Sequence, residues 1–463
     1  MIDLTPNLDS QRNEPLYIQL YNYIKDEIKG RSLAPHTKLP SKRKLASHLQ
    51  ISQNTIEAAY EQLVAEGYIE TLPRKGFFVC EVEPSLITGE SPLPYVEEKS
   101  YRNQNYICDF TNTGIDTGAF PFAIYRKLAN DVLRKDNENV LLLGHPQGEW
   151  ALREAIAKYL FESRGVRCSP SQIVIGAGTP YLLGKVFQLL KESVFAVENP
   201  GYHRKLVAFE KSLEEVKMIP LDQDGLVLSK LEESQANVAI VTPSHQFPCG
   251  MIMPITRRMQ LLKWAEQEEN RFIIEDDYDS EFRYTGKPIP ALQGLDANEK
   301  VIYIGTFSKA LLPSLRVSYM VLPKPLVQTY QQDFFFYTQT VSRVDQEILS
   351  RFIQEEHWEK HIHKMRVVYQ KKRNVLVSAI ATYFPTSVEV IGQDSGLHIL
   401  LRPNNGMTEA ELISQAAKQR IKVYPVSTFG EFDNRTVLLG FAILSEEKIQ
   451  EAIQLLSDAW FNH

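Results

Sequence analysis

Residues 304–319 read IGTFSKALLPSLRVSY. They follow an apolar run, Val301, Ile302, Tyr303 and Ile304, with the composition of a buried strand. The stretch holds one lysine, Lys309, which stands behind Thr306 and Ser308, and Arg316 can fold back toward the same point. A lysine amine in such company can form a Schiff base with a carbonyl, while hydroxyls and a guanidinium hold a phosphate. Those are the requirements of a pyridoxal phosphate pocket.

Outward from this stretch, strand-like and helix-like segments alternate from Asp109 onward, which predicts an α/β domain with a largely parallel sheet. Residues 272–279, FIIEDDYD, run from apolar to densely acidic. A carboxylate at a strand's C-terminal end, beside a tyrosine, suits a pyridinium nitrogen and a ring hydroxyl; the carboxylate keeps the nitrogen protonated. The rival is a metal site, since Glu275, Asp276, Asp277 and Asp279 are hard oxygen ligands. Neighbours on a strand point to opposite faces, so the four cannot converge, and no metal is expected. Residues 173–180, IVIGAGTP, read as a strand, a glycine turn and a helix N-terminus, which offers backbone N–H groups to an anion. At 199–204, NPGYHR, Tyr202 can lie flat on a planar cofactor and Arg204 is available to a carboxylate.

The first eighty residues have a different character. Leu16, Ile18, Leu20, Tyr21, Ile24 and Ile28 follow a mostly helical rhythm after Pro15. A second helix begins after Ser41, its N-cap, and a third from Gln53, capped by Ser52, with Ile56, Ala59, Tyr60 and Leu63 inward. Two short strands then flank a basic tip, Pro73-Arg74-Lys75-Gly76. Helix, helix, turn, helix and wing spell a winged helix-turn-helix. Gln53, Asn54 and Thr55 open its recognition helix, where base edges are read, and Gln and Asn pair well with adenine. Ser41, Lys42, Arg43, Lys44, Arg74, Lys75 and Gly76 stand where a winged helix meets phosphates or the flanking minor groove.

Between these parts, residues 81–106 lose all periodicity to prolines, glycine and acids, which predicts a semi-extended linker. The expected domains are therefore 1–80, the linker 81–106, and 107–463. The chain has 463 residues and a formal charge of −6, which argues against a protein that coats nucleic acid throughout but leaves room for one DNA-binding module. Cys80, Cys108, Cys168 and Cys249 show no metal spacing and read as free thiols of a reducing compartment. The opening MIDLTP has no signal-peptide character and no apolar run could span a membrane, so a cytoplasmic protein is expected.

Three resemblances rest on these residues. LPSKRKLA at 39–46, ISQNTI at 51–56, EGYI at 66–69 and GFFV at 76–79 resemble the DNA-binding domain of GntR-type bacterial regulators, with Gln53 where that family usually has arginine. GAGTP, NPGY, DDY and the Ser308-Lys309 pair with Arg316 resemble fold-type I pyridoxal phosphate enzymes of the aminotransferase class. The fusion of the two, together with PSHQFP at 243–248 and IEDDYDSEF at 274–282, resembles the MocR/GabR subfamily. The resemblance implies that Lys309 is the catalytic lysine and forms the internal aldimine. It pairs Asp276, or failing that Asp277, with the ring nitrogen, Tyr278 with the ring oxygen and Tyr202 with the ring face. Gly178, Thr179, Thr306, Ser308 and Arg316 take the phosphate, and Arg204 an effector. Members of the subfamily are typically head-to-tail homodimers that bind double-stranded DNA at paired half-sites.

The chain departs from active aminotransferases at two places. Phe247 stands where an asparagine is usual, and Leu438 where an arginine takes the substrate α-carboxylate. Thr428 falls where GabR-like proteins carry an effector arginine. The expected function is a pyridoxal phosphate-dependent transcriptional regulator whose effector is a small amine, an amino acid or the cofactor itself. The alternative is an active aminotransferase with an appended DNA-binding domain.

Overall fold

The computed structural model describes residues 4–6, 8–9, 14–81, 106–203, 207, 216–286, 289–385 and 388–461. The chain forms two compact units, residues 1–102 and 103–463. The linker expected at 81–106 falls almost wholly outside the described residues, as does Arg204.

In the first unit, helices Leu16–Lys29, Lys42–Leu49 and Gln53–Ala65 precede the antiparallel strands Ile69–Leu72 and Gly76–Val79. Ser41 and Ser52 cap the second and third helices, accepting from the N–H groups of Lys44 and Thr55. Each such cap is worth about 1 kcal/mol. Leu20, Ile24, Leu45, Ile56, Tyr60 and Leu63 close one core. The wing has a third member that the sequence did not suggest. Residues 36–39 pair with the strand Gly76–Val79, His36 N donating to the Val79 carbonyl at 2.8 Å and Leu39 N to the Phe77 carbonyl at 2.9 Å.

The second unit is built on an eight-stranded sheet. Its order is Ile173–Gly176, Ser318–Val321, Val301–Thr306, Phe272–Asp277, Val238–Val241, Phe195–Asn199, Val216–Asp222 and Gly225–Leu226. The four central pairings, from Val301–Thr306 across to Val216–Asp222, are parallel, while Ser318–Val321 and Gly225–Leu226 run antiparallel to their neighbours. Both faces are covered, as a parallel sheet requires. Val197, Ile240, Ile274 and Ile302 pack with residues of helix Thr179–Leu189 on one side. Ala196, Ala239, Ile273 and Val301 pack with residues of helix Ile255–Glu266 on the other. A smaller antiparallel sheet, Val388–Ile391, His398–Pro403, Val437–Gly440 and Tyr424–Pro425, follows the long helix His357–Tyr383. The acidic strand ends at Asp277 rather than Asp279, because Tyr278 and Asp279 turn toward His245. The C-terminal ends of parallel strands are where open α/β sheets bind ligands. Among the described residues no helix is long and apolar enough to cross a membrane.

Candidate functional site

The strands Phe272–Asp277 and Val301–Thr306 lie side by side and run the same way, so Asp276 and Thr306 finish at the same edge of the sheet. With Thr179, Tyr202, Phe247, Tyr278, Ser308, Lys309 and Arg316 they line a cavity of about 230 Å³. Strand alternation sorts the acids as anticipated. Asp277 turns away, accepting from Arg164 Nε at 2.8 Å and the Tyr303 hydroxyl at 2.6 Å. Glu275 accepts the N–H groups of Leu292 and Gln293. Asp276 faces the cavity: its Oδ2 meets His203 Nε2 at 2.7 Å, and its Oδ1, though buried, has no hydrogen-bond partner among the described residues.

Lys309 Nζ donates to the Asn112 carbonyl. Burial lowers its pKa from that of an ordinary lysine, with Asp279 opposing, so the amine loses its proton, and becomes a nucleophile, more readily than a surface lysine would. The Ser308 hydroxyl oxygen is a second buried polar atom of the pocket with no hydrogen-bond partner among the described residues. Thr306 Oγ1 accepts from Ser308 N at 3.2 Å and from the Ser318 hydroxyl at 2.8 Å. Gly178 caps the helix Thr179–Leu189 with φ 98° and ψ 162°, a conformation essentially closed to other residues. A Cβ on Gly178 would overlap Arg316 Nη2. Guanidinium and helix N-terminus are thus pressed together, and both favour an anion.

Tyr278 reaches the cavity, and its hydroxyl is 2.9 Å from His245 Nδ1. Burial, then Asp279 and Asp276, push its pKa far above that of free tyrosine, which keeps the hydroxyl protonated. Tyr202 is 44% exposed and meets Phe247 edge-on at 6.0 Å. Phe247 and Leu438 belong to one buried apolar cluster, with Leu400 and Val426. The two departures from the aminotransferase pattern are thus one packed feature. Thr428 is exposed. His203 and His245 were not among the residues that the sequence singled out for the site; a histidine beside the candidate stacking tyrosine was the available signal.

The groups present fit pyridoxal phosphate: an amine of lowered basicity, an unpartnered carboxylate oxygen, an unpartnered hydroxyl, and an arginine beside a helix N-terminus. In the first unit, Gln53 and Asn54 are exposed at the start of the recognition helix, while Thr55 Oγ1 is 2.8 Å from Ser52 Oγ. Ser41, Arg43, Arg74 and Lys75 are exposed, and Gly76 opens the second wing strand. Lys42 is half-buried and its amine is paired with Glu57. Lys38, bridged to Phe78 in the wing, is a further cation there that sequence reasoning missed.

The family model for aminotransferase class I and II matches residues 113–456, and that for bacterial regulatory proteins of the gntR family matches residues 16–79. The uncharacterized HTH-type transcriptional regulator YdeL of Bacillus subtilis is 44% identical over 99% of this chain and 100% of its own. The probable rhizopine catabolism regulatory protein MocR of Rhizobium meliloti is 30% identical over 98% of this chain and 95% of its own. Among solved structures, the kynurenine aminotransferase of Pyrococcus horikoshii superposes with a TM-score of 0.69 at 25% identity, covering 78% of this chain and 92% of that one. Fold and pocket thus define a pyridoxal phosphate domain of the aminotransferase class attached to a winged helix-turn-helix that binds DNA. The chain belongs to the MocR/GabR subfamily of GntR-type transcriptional regulators.

Proposed function

We propose that the pocket around Lys309 serves this regulator as a sensor, and that its occupancy changes promoter binding. When bound, pyridoxal phosphate supplies a carbonyl for amines and an electron-withdrawing ring. Lys309 would hold the cofactor, Asp276 Oδ1 would be the acceptor for the ring nitrogen, Tyr278 would serve the ring oxygen, and Tyr202 would cover the ring. Gly178, Thr179, Thr306, Ser308 and Arg316 would hold the phosphate. Arg204 is assigned to an effector carboxylate on sequence alone. The observation that carries the sensor reading is the Phe247–Leu438 cluster. It puts apolar packing where active aminotransferases carry an amide and a guanidinium, beside a pocket that still holds Lys309, Asp276, Tyr278 and Arg316. The effector is a small amine, an amino acid or the cofactor itself.

The exposed surface of the second unit supports a homodimer. Leu141, Leu142, Leu143, Trp150, Phe335 and Phe336 are all more than half exposed, an apolar load unusual for a monomer. Two copies would present two recognition helices to paired half-sites, with Gln53 and Asn54 on bases and Arg43, Arg74 and Lys75 on the backbone. The test combines borohydride trapping with a donor panel. Reduction should fix the cofactor on Lys309, and amino donors should give at most a single half-turnover. A label on any other residue sinks the site assignment, and sustained amino-group transfer to a keto acid sinks the sensor reading.

A further inference from the structure

Behind the cofactor pocket lies a second cavity, of about 440 Å³. Helix Trp150–Arg164, the loop after strand Phe272–Asp277, helix His357–Tyr383 and the loop carrying Ser395 enclose it. Two arginines on its wall are unspent. Arg366 Nε donates to the Glu281 carbonyl at 3.0 Å and Arg283 Nε to the Thr285 carbonyl at 2.6 Å, and neither guanidinium meets a carboxylate among the described residues. Ser395 is only 5% exposed, and its hydroxyl has no hydrogen-bond partner among the described residues. A buried hydroxyl left unsatisfied costs about 1–3 kcal/mol, so a wall that carries one beside unpaired guanidinium groups is built for something polar. Acids are present too. Glu281 Oε1 accepts from the Tyr159 hydroxyl at 3.1 Å, and Glu162 and Glu359 stand exposed at the rim with His363.

The two cavities share a wall. Arg164, on the second cavity, donates to the Ser244 hydroxyl at 2.6 Å and to Asp277, the neighbour of Asp276. Ser244 precedes His245, whose Nδ1 lies 2.9 Å from both Asp279 Oδ2 and the Tyr278 hydroxyl of the cofactor pocket. Gly396, next to Ser395, packs so closely that a Cβ there would overlap the His245 ring. Movement of the Ser395 loop is therefore felt at His245 and at Tyr278.

We propose that this second cavity binds a small carboxylate metabolite of amino-acid size, its carboxylate on Arg366 and Arg283, and that occupancy is transmitted to the cofactor pocket through Ser244, His245 and Tyr278. The volume lies in the range of small-molecule sites, and a carboxylate is the planar partner that guanidinium groups match. The glutamates at the wall and rim favour a ligand that also carries an ammonium or hydroxyl group. Only the transmission half rests on the cofactor reading of the Lys309 pocket.

The test is calorimetry on the full chain loaded with cofactor, using L-glutamate, L-aspartate, succinate and 2-oxoglutarate as probes, with the cofactor absorption band followed in parallel. At least one probe should bind at one site per chain, in wild type and in Lys309→Ala alike. Arg366→Ala and Arg283→Gln should each weaken it about tenfold or more, as loss of a charge-assisted bond does, and Ser395→Ala severalfold. The absorption band should shift in the wild type on binding. No binding by any probe, or binding unchanged in both arginine variants, overturns the proposal. Binding lost in Lys309→Ala assigns the ligand to the cofactor pocket and overturns it as well. Binding with an unmoved band overturns the transmission half alone. Failure of borohydride to label Lys309 would indict the cofactor reading and leaves the calorimetric result standing by itself.

Discussion

Replacing Gly178 by alanine perturbs the cofactor pocket at the point where its geometry is tightest. The residue sits at φ 98° and ψ 162°, where a side chain costs about 1–3 kcal/mol of backbone strain. That strain is present with and without cofactor, so it lowers the melting temperature but does not by itself change affinity. The second effect does. The added methyl would lie 2.9 Å from Arg316 Cζ, whereas carbon atoms rest at about 3.5–4.0 Å. Arg316 must retreat, and the charge-assisted hydrogen bond proposed for it with the phosphate, worth about 1.5–3 kcal/mol, should be lost. At 1.4 kcal/mol per decade the cofactor should bind roughly 10- to 150-fold more weakly. Titrating pyridoxal phosphate into apoprotein, with the absorption band as readout and circular dichroism as the check on folding, measures this. A folded Gly178→Ala protein that binds within about twofold of wild type would show that Arg316 and the helix N-terminus are not the phosphate site.

Three further outcomes follow from other parts of the molecule. Leu438→Arg would bury an unpaired charge in the Phe247 cluster and should destabilise by roughly 3–5 kcal/mol, against less than about 1.5 for Leu438→Met; equal melting temperatures would mean that the cluster is open to water. Arg43→Ala and Lys75→Ala should weaken promoter binding about equally across sequences, each reducing the salt slope by about one, while Gln53→Ala should change sequence preference instead; unchanged salt slopes would remove these residues from the interface. Glu281 is raised to about 7, first by burial and then by Asp277. A carboxyl whose pKa is higher in the folded than in the unfolded state favours folding below the unfolded value, and that contribution is lost as pH rises through about 7. Glu281→Gln should therefore be more stable than wild type at pH 8, by roughly 1–3 kcal/mol after discounting for the cavity it faces, with the gap closing toward pH 4; a gap that does not vary with pH refutes the assignment.

What could be read from the sequence was local. Ser52 starts the recognition helix at Gln53 because a hydroxyl cap leaves a sequence signature, and the run into Lys309 is recognisable because strand, hydroxyls and arginine are contiguous. The third piece of the wing was hidden because residues 36–39 are few, end against Pro40 and pair with residues far along the chain. Phe247 and Leu438 were each legible as replacements, but nothing local says that they belong to one cluster. The pairing of Lys42 with Glu57 on the next helix was not legible either, because the partner lies on a different helix. The second cavity draws on residues from Tyr159 to Ser395, a juxtaposition that only the tertiary fold creates.

The central claim is that Lys309 reports to the DNA-binding domain. Titrating the protein onto its own promoter fragment and onto random duplex, each with and without pyridoxal phosphate, tests it most directly when repeated with Lys309→Ala. The account predicts a salt-dependent preference for the promoter, a change in affinity or in the shape of the complex when cofactor is added to wild type, and no such change in Lys309→Ala. Identical isotherms and complexes with and without cofactor in the wild type, or an undiminished response in Lys309→Ala, would contradict it.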